Sequence, residues 1–598
     1  MAFVQCDDRM QIFMQCQDEW VDTDSPVRVI DSFVDSIAIK NIEFNDHGKD
    51  VMGRPAYSTS KLLKLYIYGY MCGIKSSRKL ARNCKINLEV RWLMQCLEPN
   101  FRTIARFRAE NAESLARVFD SFLDFCSKLT TSDGKPLMGR GFESIDGTKI
   151  RASQAKDTCY TASKTDDRIS NDESRIEQYR QFLKEMDETD AGETGKNEPI
   201  TNSVMKEELE KKLKEYEERK KEHEEIRDRI EAGESQIAMT DTDSKLMKSH
   251  YGSYNPSYNV QAAVNSETHM IVGVNTTNQC TDHGLLSGTM EKVHDDNAIR
   301  EVVADNGYMQ SEDIANCLEN GIVPNVFPDK VRTESGAKVH KDGYDVEFDY
   351  DAKAEITDEM KASTNREDIA RCLHAGVIPD CYKDRLEHTG NDGNAGVVTI
   401  RKFEYEVSDS DFDGMSDDEK RTFAAEHICF IRDIDKGRVY CPYGEILRKK
   451  SDKKNDVIRY CNKLACKRCT MKCFRESQTT RWKEIDFAPG ARIKACNVVG
   501  ADKAVKKKIS ETTVKNHLGK TIKKVVYRFK PDFAKLDKRK CLSEHPFGTM
   551  KRNMNGDHFL LRGIKKVDAE IKLTCLGYNI TRLVNLIPVT KILNAMAM

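Results

Sequence analysis

Residues 141–152 read GFESIDGTKIRA, and residues 301–309 read EVVADNGYM. In the first stretch Phe142, Ser144 and Asp146 fall on one side of a strand, Glu143 and Ile145 on the other, and Gly147 then relaxes the backbone. The second repeats the device. An apolar run, Val302-Val303-Ala304, ends in Asp305, and Asn306-Gly307 stops the strand at once. A carboxylate just before a tight turn can cap the next helix. It can equally be displayed at the carboxyl end of a strand in an open α/β sheet, where catalytic groups are presented.

The surrounding pattern favours such a sheet. Residues 257–274 give two apolar runs around NSET, a β-hairpin. A helix is expected at 283–294, a strand at 301–305, a helix at 311–320 and a strand within GIVPNVFP. Strands alternating with helices predict a mixed α/β sheet.

At 598 residues the chain is too long for one ordinary core, so several domains are expected. The net charge of −1 names no partner, but its distribution does. Residues 501–598 hold 22 Lys and Arg against 8 Asp and Glu, and residues 51–110 hold 12 against 3. Separated basic regions in a near-neutral chain fit a groove for a polyanion. The opening MAFVQCDDRMQIFMQCQDEW has neither a basic n-region nor an apolar h-region, and no apolar run is long enough to cross a bilayer. A cytoplasmic protein without membrane contact is the expectation, and its 20 cysteines read as metal ligands before disulfides.

Residues 25–130 read as all helical, with patterns at 60–74, 76–94 and 100–123. Arg78, Lys79, Arg82, Arg102, Arg106 and Arg108 between apolar positions suit a helix-turn-helix-like bundle that meets DNA, or a packing domain with a solvated basic face. Residues 170–235 form a charged helical hairpin, with Leu209, Leu213 and Tyr216 as its sparse apolar positions; it is a coiled coil or a solvated arm. Residues 330–500 are a long insertion. Within it SDSDFDGMSDDEK imitates a calcium loop at Asp409, Asp411, Asp413 and Gly414, but Lys420 stands where a bidentate Glu belongs, so that reading fails. The same insertion carries Cys461-x4-Cys466-x2-Cys469-x3-Cys473, with Cys441 upstream beside Pro442 and Gly444, a density that suits tetrahedral zinc or reduced, clustered thiols.

The last informative stretch is CLSEHPFGTMKRNMNGDHFLLRG, residues 541–563. Ser543 can cap a helix that starts at Glu544, with Pro546 in its first turn. Glu544 and Lys551, seven apart, share a helix face, and Arg552 follows.

Taken together and in this order, SIDGTKIRA, YNVQAAV, VVADNGYM and SEHPFGTMKR…FLLRGIKKVDAE…YNITRL resemble the DDE transposases of bacterial insertion sequences. They are similar to the group with an N-terminal helical domain and a cysteine-bearing insertion before the last acid. The resemblance implies an RNase H-like core with Asp146, Asp305 and Glu544 as its acids, holding two Mg²⁺ or Mn²⁺ ions. Asp146 would bridge both ions, with Asp305 and Glu544 each completing one side. It further implies Lys551 and Arg552 on the DNA backbone, and structural Zn²⁺ on Cys441, Cys466, Cys469 and Cys473, with Cys461 as a spare. Asp243, Lys245 and Asn259 in TDTDSKLMKSHYGSYNPSYNVQ would line the DNA, although a turn or cap role suits Asp243 better. One departure stands out: positions that often hold Tyr and Arg before the Glu are Asp537 and Lys540, with Arg539 one place out of register.

The expected partition is a DNA-binding helical domain at 1–130 and a catalytic core at 131–165 and 240–330. The hairpin insertion is 166–239, the cysteine-bearing insertion 331–500, and the C-terminal core with Glu544 501–598. The expected activity is cleavage at transposon ends and transfer of the 3′-hydroxyl into target DNA, by a homodimer on DNA. An inactive DNA-binding descendant and a metal-dependent nuclease on the same fold are the alternatives.

Overall fold

The structure, a computed structural model, describes residues 16–37, 42–45, 55–131, 133–139, 141–192, 200–231, 236–249, 252–294, 297–332, 338–389, 397–403, 414–426, 429–452, 457–469, 482–495 and 519–597. Its centre is one mixed sheet. Strand β1 (Glu143–Arg151) is followed by the short β2 (Cys159–Tyr160) and β3 (Ile237–Ala238), then β4 (Lys245–Lys248), β5 (Tyr254–Asn265), β6 (Ile271–Thr277), β7 (Arg300–Ala304) and β8 (Ile322–Val326). The order across the sheet is β4-β5-β1-β7-β8, with β6 also pairing β5. β5 runs antiparallel to β1, whereas β7 is parallel to β1, and β8 to β7. Every residue of β8 is buried, the pattern of a strand covered on both faces.

The N-terminal region is helical as expected: Pro26–Ser36, Thr59–Met71, Ser77–Ile86, Leu88–Leu93, Phe101–Glu110 and Ala112–Ser127. The pattern at 76–94 divides into two helices because Asn87 leaves helical geometry, and its side chain accepts from Val90 N at 3.1 Å. Lys64 is buried and neutralised by Asp31 at 2.6 Å and Asp35 at 2.7 Å, which joins the first two helices.

These helices share one apolar core with the central sheet. The helix Ile564–Leu586 runs through that core and is buried nearly all round, by Val567, Ile571, Leu573, Leu576, Ile580 and Leu583 among others. Gly577 lets it approach the second helix closely, since a Cβ there would lie 2.7 Å from Met71 Cα. A buried polar cluster crosses the same boundary. Glu570 accepts from Leu560 N and Leu561 N at 2.9 and 3.0 Å and lies 3.5 Å from Lys75 Nζ, and Arg108 donates to Tyr70 and to the Lys75 carbonyl.

Between β2 and β3 the chain makes the expected hairpin, Ala162–Gly192 and Ile200–Glu231. The fully buried Asp172 accepts from His223 Nδ1 at 2.7 Å and from Arg219, and Tyr179 meets Tyr216 at 5.5 Å. Among the described residues, 330–500 contribute strands to three separate sheets, the smallest being the pair Lys330–Arg332 and Lys338–His340. Tyr344–Asp349, Leu386–His388 and Val397–Phe403 all pair with Gly519–Phe529. The six strands between Cys429 and Ala495 form a second sheet with small cores of their own. Asp409, Asp411 and Asp413 lie outside the described residues, and Lys420 pairs with Asp433 at 3.0 Å.

Candidate active site

Register decides where the two strand-borne carboxylates stand. Ser144 of β1 is abreast of Val303 of the parallel β7. Two residues on in each chain come Asp146 and Asp305, on the same face, on strands spaced ~4.8 Å apart. Each carboxylate is tied to its own turn. Asp146 Oδ1 accepts from Gly147 N at 2.9 Å, and Asp305 Oδ1 from Gly307 N at 2.8 Å. Asp305 therefore caps the short turn Asn306–Tyr308 and is displayed at a strand end as well. Burial pushes the Asp146 carboxyl up to about 6; Arg539 opposes this, while Asp305 and Asp282 add to it.

The helix Phe533–Arg552 lies against this face. Leu536 and Leu542 pack with Phe142 and Val303. Arg539 Nη1 stands 3.6 Å from Asp146 Oδ1, and Lys551 donates from Nζ to Thr148 Oγ1, one strand position beyond Asp146 on the same side. Burial lowers the Lys551 ammonium, against the pull of Asp557 and Asp146.

The expectation that this helix begins at Glu544 is corrected. Asp532 caps it, accepting from Ala534 N and Lys535 N at 3.0 and 3.2 Å, and the helix continues through Pro546. Glu544 thus sits in mid-helix, five residues or ~140° around from Arg539. It is exposed and takes no part in the contacts around Asp146. The structure brings Asp146 and Asp305 together and leaves Glu544 apart. Among the described residues no group of three His, Cys, Asp or Glu side chains is close enough to hold a metal ion.

The other side chains sort by contact. Asp243 Oδ2 accepts from Ile564 N at 2.9 Å and Asp241 Oδ1 from Gly563 N at 3.0 Å, so this pair caps the Ile564–Leu586 helix. Lys245 opens β4, and Asn259 is buried on β5. Arg102 and Arg106 are exposed, Arg102 beside the Phe101 ring at 5.9 Å and Arg106 paired with Glu110 at 2.7 Å. Arg552 is exposed at the end of its helix. The reverse face of β1 carries a polar layer that sequence reading missed in Gln261, Asp282 and Tyr308. Gly147 was its signal: a Cβ there would lie 2.5 Å from Gln261 Nε2 and 2.8 Å from Asp282 Oδ1.

Cys441 stands in a tight turn between two strands of the second insertion sheet. Its Sγ accepts from Glu445 N at 3.3 Å, and Gly444 supplies the left-handed φ of +81°. Cys466 and Cys469 sit on and just after the helix Lys463–Arg468, which is tied to that turn's far strand by Asn462 Nδ2 donating to the Ile446 carbonyl at 2.8 Å. Cys461 ends the preceding strand, and Cys473 lies outside the described residues.

No helix among the described residues is long and apolar enough to cross a membrane. Two family models match the chain: a transposase domain, DUF772, over residues 15–110, and a transposase DDE domain over residues 440–584. No curated protein and no solved structure matches it. The first match covers the basic helices and the second covers both the cysteine-bearing turn and the helix of Glu544. The chain thus carries a match to a transposase domain near each end, the C-terminal one to a transposase DDE domain.

Proposed function

We propose that the protein cuts DNA at transposon ends and joins the exposed 3′-hydroxyl to target DNA, with Asp146, Asp305 and Glu544 as its acids. The observation that carries this reading is the parallel pairing of Ser144 with Val303, which brings Asp146, two residues on, beside Asp305 just past its strand's end. The strand order, with one antiparallel strand beside β1 and two parallel strands beyond it, supports an RNase H-like core. All the donors offered are carboxylate oxygens, the set Mg²⁺ and Mn²⁺ prefer. Two such ions, when bound, supply Lewis acidity to the entering and leaving oxygens of an in-line phosphoryl displacement.

The side chains have separate tasks. Asp146 and Asp305 hold the cations, and a shift or turn of the Phe533–Arg552 helix delivers Glu544. Lys551, fixed at Thr148, and Arg552 grip the DNA backbone beside the scissile phosphate. Arg539 serves as the counter-ion of Asp146 before cations arrive. Arg102 and Arg106 meet DNA from the helical domain, and a homodimer synapses two ends. Cys441, Cys466, Cys469 and Cys473, with Cys461 in reserve, hold a structural zinc ion. The Glu445 backbone N–H donates to Cys441 Sγ at 3.3 Å.

The test is end cleavage and strand transfer in Mg²⁺ or Mn²⁺. Loss of both in Asp146→Asn and in Asp305→Asn supports the assignment, and retained activity in either overturns it. Cleavage without joining would indicate a nuclease, and DNA binding without cleavage an inactive descendant. Zinc well below one ion per chain would remove the cysteine assignment.

A further inference from the structure

The polar layer on the reverse face of β1 lies within contact range of both aspartate turns and has no part in the chemistry described so far. Asp282 Oδ1 accepts from Lys149 Nζ at 3.0 Å, Asn259 Nδ2 at 2.8 Å and Gln261 Nε2 at 2.9 Å. Gln261 Nε2 also donates to Asn259 Oδ1 at 3.0 Å. With its nitrogen committed, the Gln261 amide turns Oε1 toward Tyr308, whose hydroxyl donates to it. Asn259, Gln261 and Tyr308 are all fully buried. Tyr308 closes the short turn that Asp305 opens, and Gln261 pairs across the sheet with Gly147, the neighbour of Asp146. Burial opposes ionisation of Asp282, but the hydrogen bonds from Asn259, Lys149 and Gln261 outweigh it and hold its carboxyl below the usual range. The network therefore has a charged, fixed end at Asp282 and a lever end at Tyr308.

We infer that Asp282, Gln261 and Tyr308 are positioning residues that set the spacing of Asp146 and Asp305, and through it the affinity for divalent cations. The inference rests on reading those two aspartates as the metal-binding acids. A network that was only structural would support the fold and leave the cation affinity alone. One that orients ligands changes affinity by about 10- to 100-fold when broken. Tyr308→Phe removes one hydroxyl and little volume, so the turn loses its anchor and keeps its packing. Asp282→Ala frees the Gln261 amide from the opposite end, at a partly exposed position.

The experiment titrates Mn²⁺ into the full chain, reads free Mn²⁺ by electron paramagnetic resonance, and follows thermal unfolding alongside. Tyr308→Phe and Asp282→Ala are each expected to weaken Mn²⁺ binding by about tenfold or more while the chains remain folded. Asp146→Asn is the control and is expected to abolish binding. If Asp146→Asn abolishes binding while Tyr308→Phe and Asp282→Ala bind as the wild type does, the positioning role is overturned. If Asp146→Asn itself binds normally, the metal-binding reading beneath it falls instead.

Discussion

Asp146 and Asp305 are held by a sheet, whereas Glu544 is held by the rotational phase of a helix, and the two supports behave differently. A ladder of backbone hydrogen bonds fixes register, and a register error of one residue would turn a side chain to the opposite face. Asp146 and Asp305 are therefore neighbours despite a sequence separation of 159 and the whole Ala162–Glu231 hairpin between them. Glu544 has no such ladder. Its helix is anchored by apolar contacts at Leu536 and Leu542 and by Arg539 beside Asp146, and Glu544 is exposed. Under the proposed assignment the strand acids are preorganised, and the helix acid is the part that must move.

The sharpest way to break this contrast is activity. Asp146→Asn and Asp305→Asn should each lower cleavage by about 10²- to 10³-fold, the scale of losing a preorganised electrostatic group. Glu544→Gln should lose as much if the helix delivers the third carboxylate during reaction. Full strand transfer by Glu544→Gln would show that the exposed position is its working position and that it is no ligand.

The second test concerns stability of the metal-free protein. The Asp146 carboxyl ordinarily titrates near 3.8, and burial raises it to about 6 in the folded chain. The folded state then holds its proton more tightly, so stability falls as pH rises from about 4 to about 6 and stays lowered above that. Asp146→Asn cannot ionise. It should exceed the wild type by about 2–3 kcal/mol above pH 6, and the gap should close below pH 4. Mn²⁺ should reverse the order by stabilising the wild type alone. Thermal unfolding across pH, with and without Mn²⁺, reads both effects; a gap that does not change with pH would reject burial as its origin.

The strand acids were legible because both signals are local: alternation of faces, then a turn residue. Their adjacency was also accessible, since strands alternating with helices imply parallel neighbours. The start of the Glu544 helix was misplaced because Ser543 and Pro546 together imitate a helix start, while the actual cap, Asp532, lies eleven residues earlier. Arg539, one place out of register for the family pattern, is the side chain that reaches Asp146. The polar layer stayed hidden because Asn259, Gln261, Asp282 and Tyr308 meet only when β5, the loop after β6 and the turn after β7 come together. No short window of sequence contains all of them.

A third test probes the support behind the helix acid. Gly577 brings the Ile564–Leu586 helix against Met71, where a Cβ would come within 2.7 Å of backbone that cannot rotate away. Gly577→Ala should cost about 1–3 kcal/mol, the usual range for overpacking, measured by denaturant unfolding. Cleavage should fall more than Mn²⁺ affinity, because the strand acids rest on the sheet and the Glu544 helix packs on this one. Equal losses in both would show that the two supports are not separate.

The smallest effect separates two kinds of aspartate in the same core. Asp243 accepts from Ile564 N, so its carboxylate meets the positive end of a helix and needs no cation. Asn caps about as well as Asp, and Ala does not. Asp243→Asn should leave stability and Mn²⁺ affinity near those of the wild type, while Asp243→Ala should cost about 1 kcal/mol. At Asp146 the preferences invert: Asn gains stability without metal and loses the metal. Were Asp243→Asn to lose Mn²⁺ affinity as Asp146→Asn does, Asp243 would join the cation site and the division between capping and metal-binding aspartates would fail.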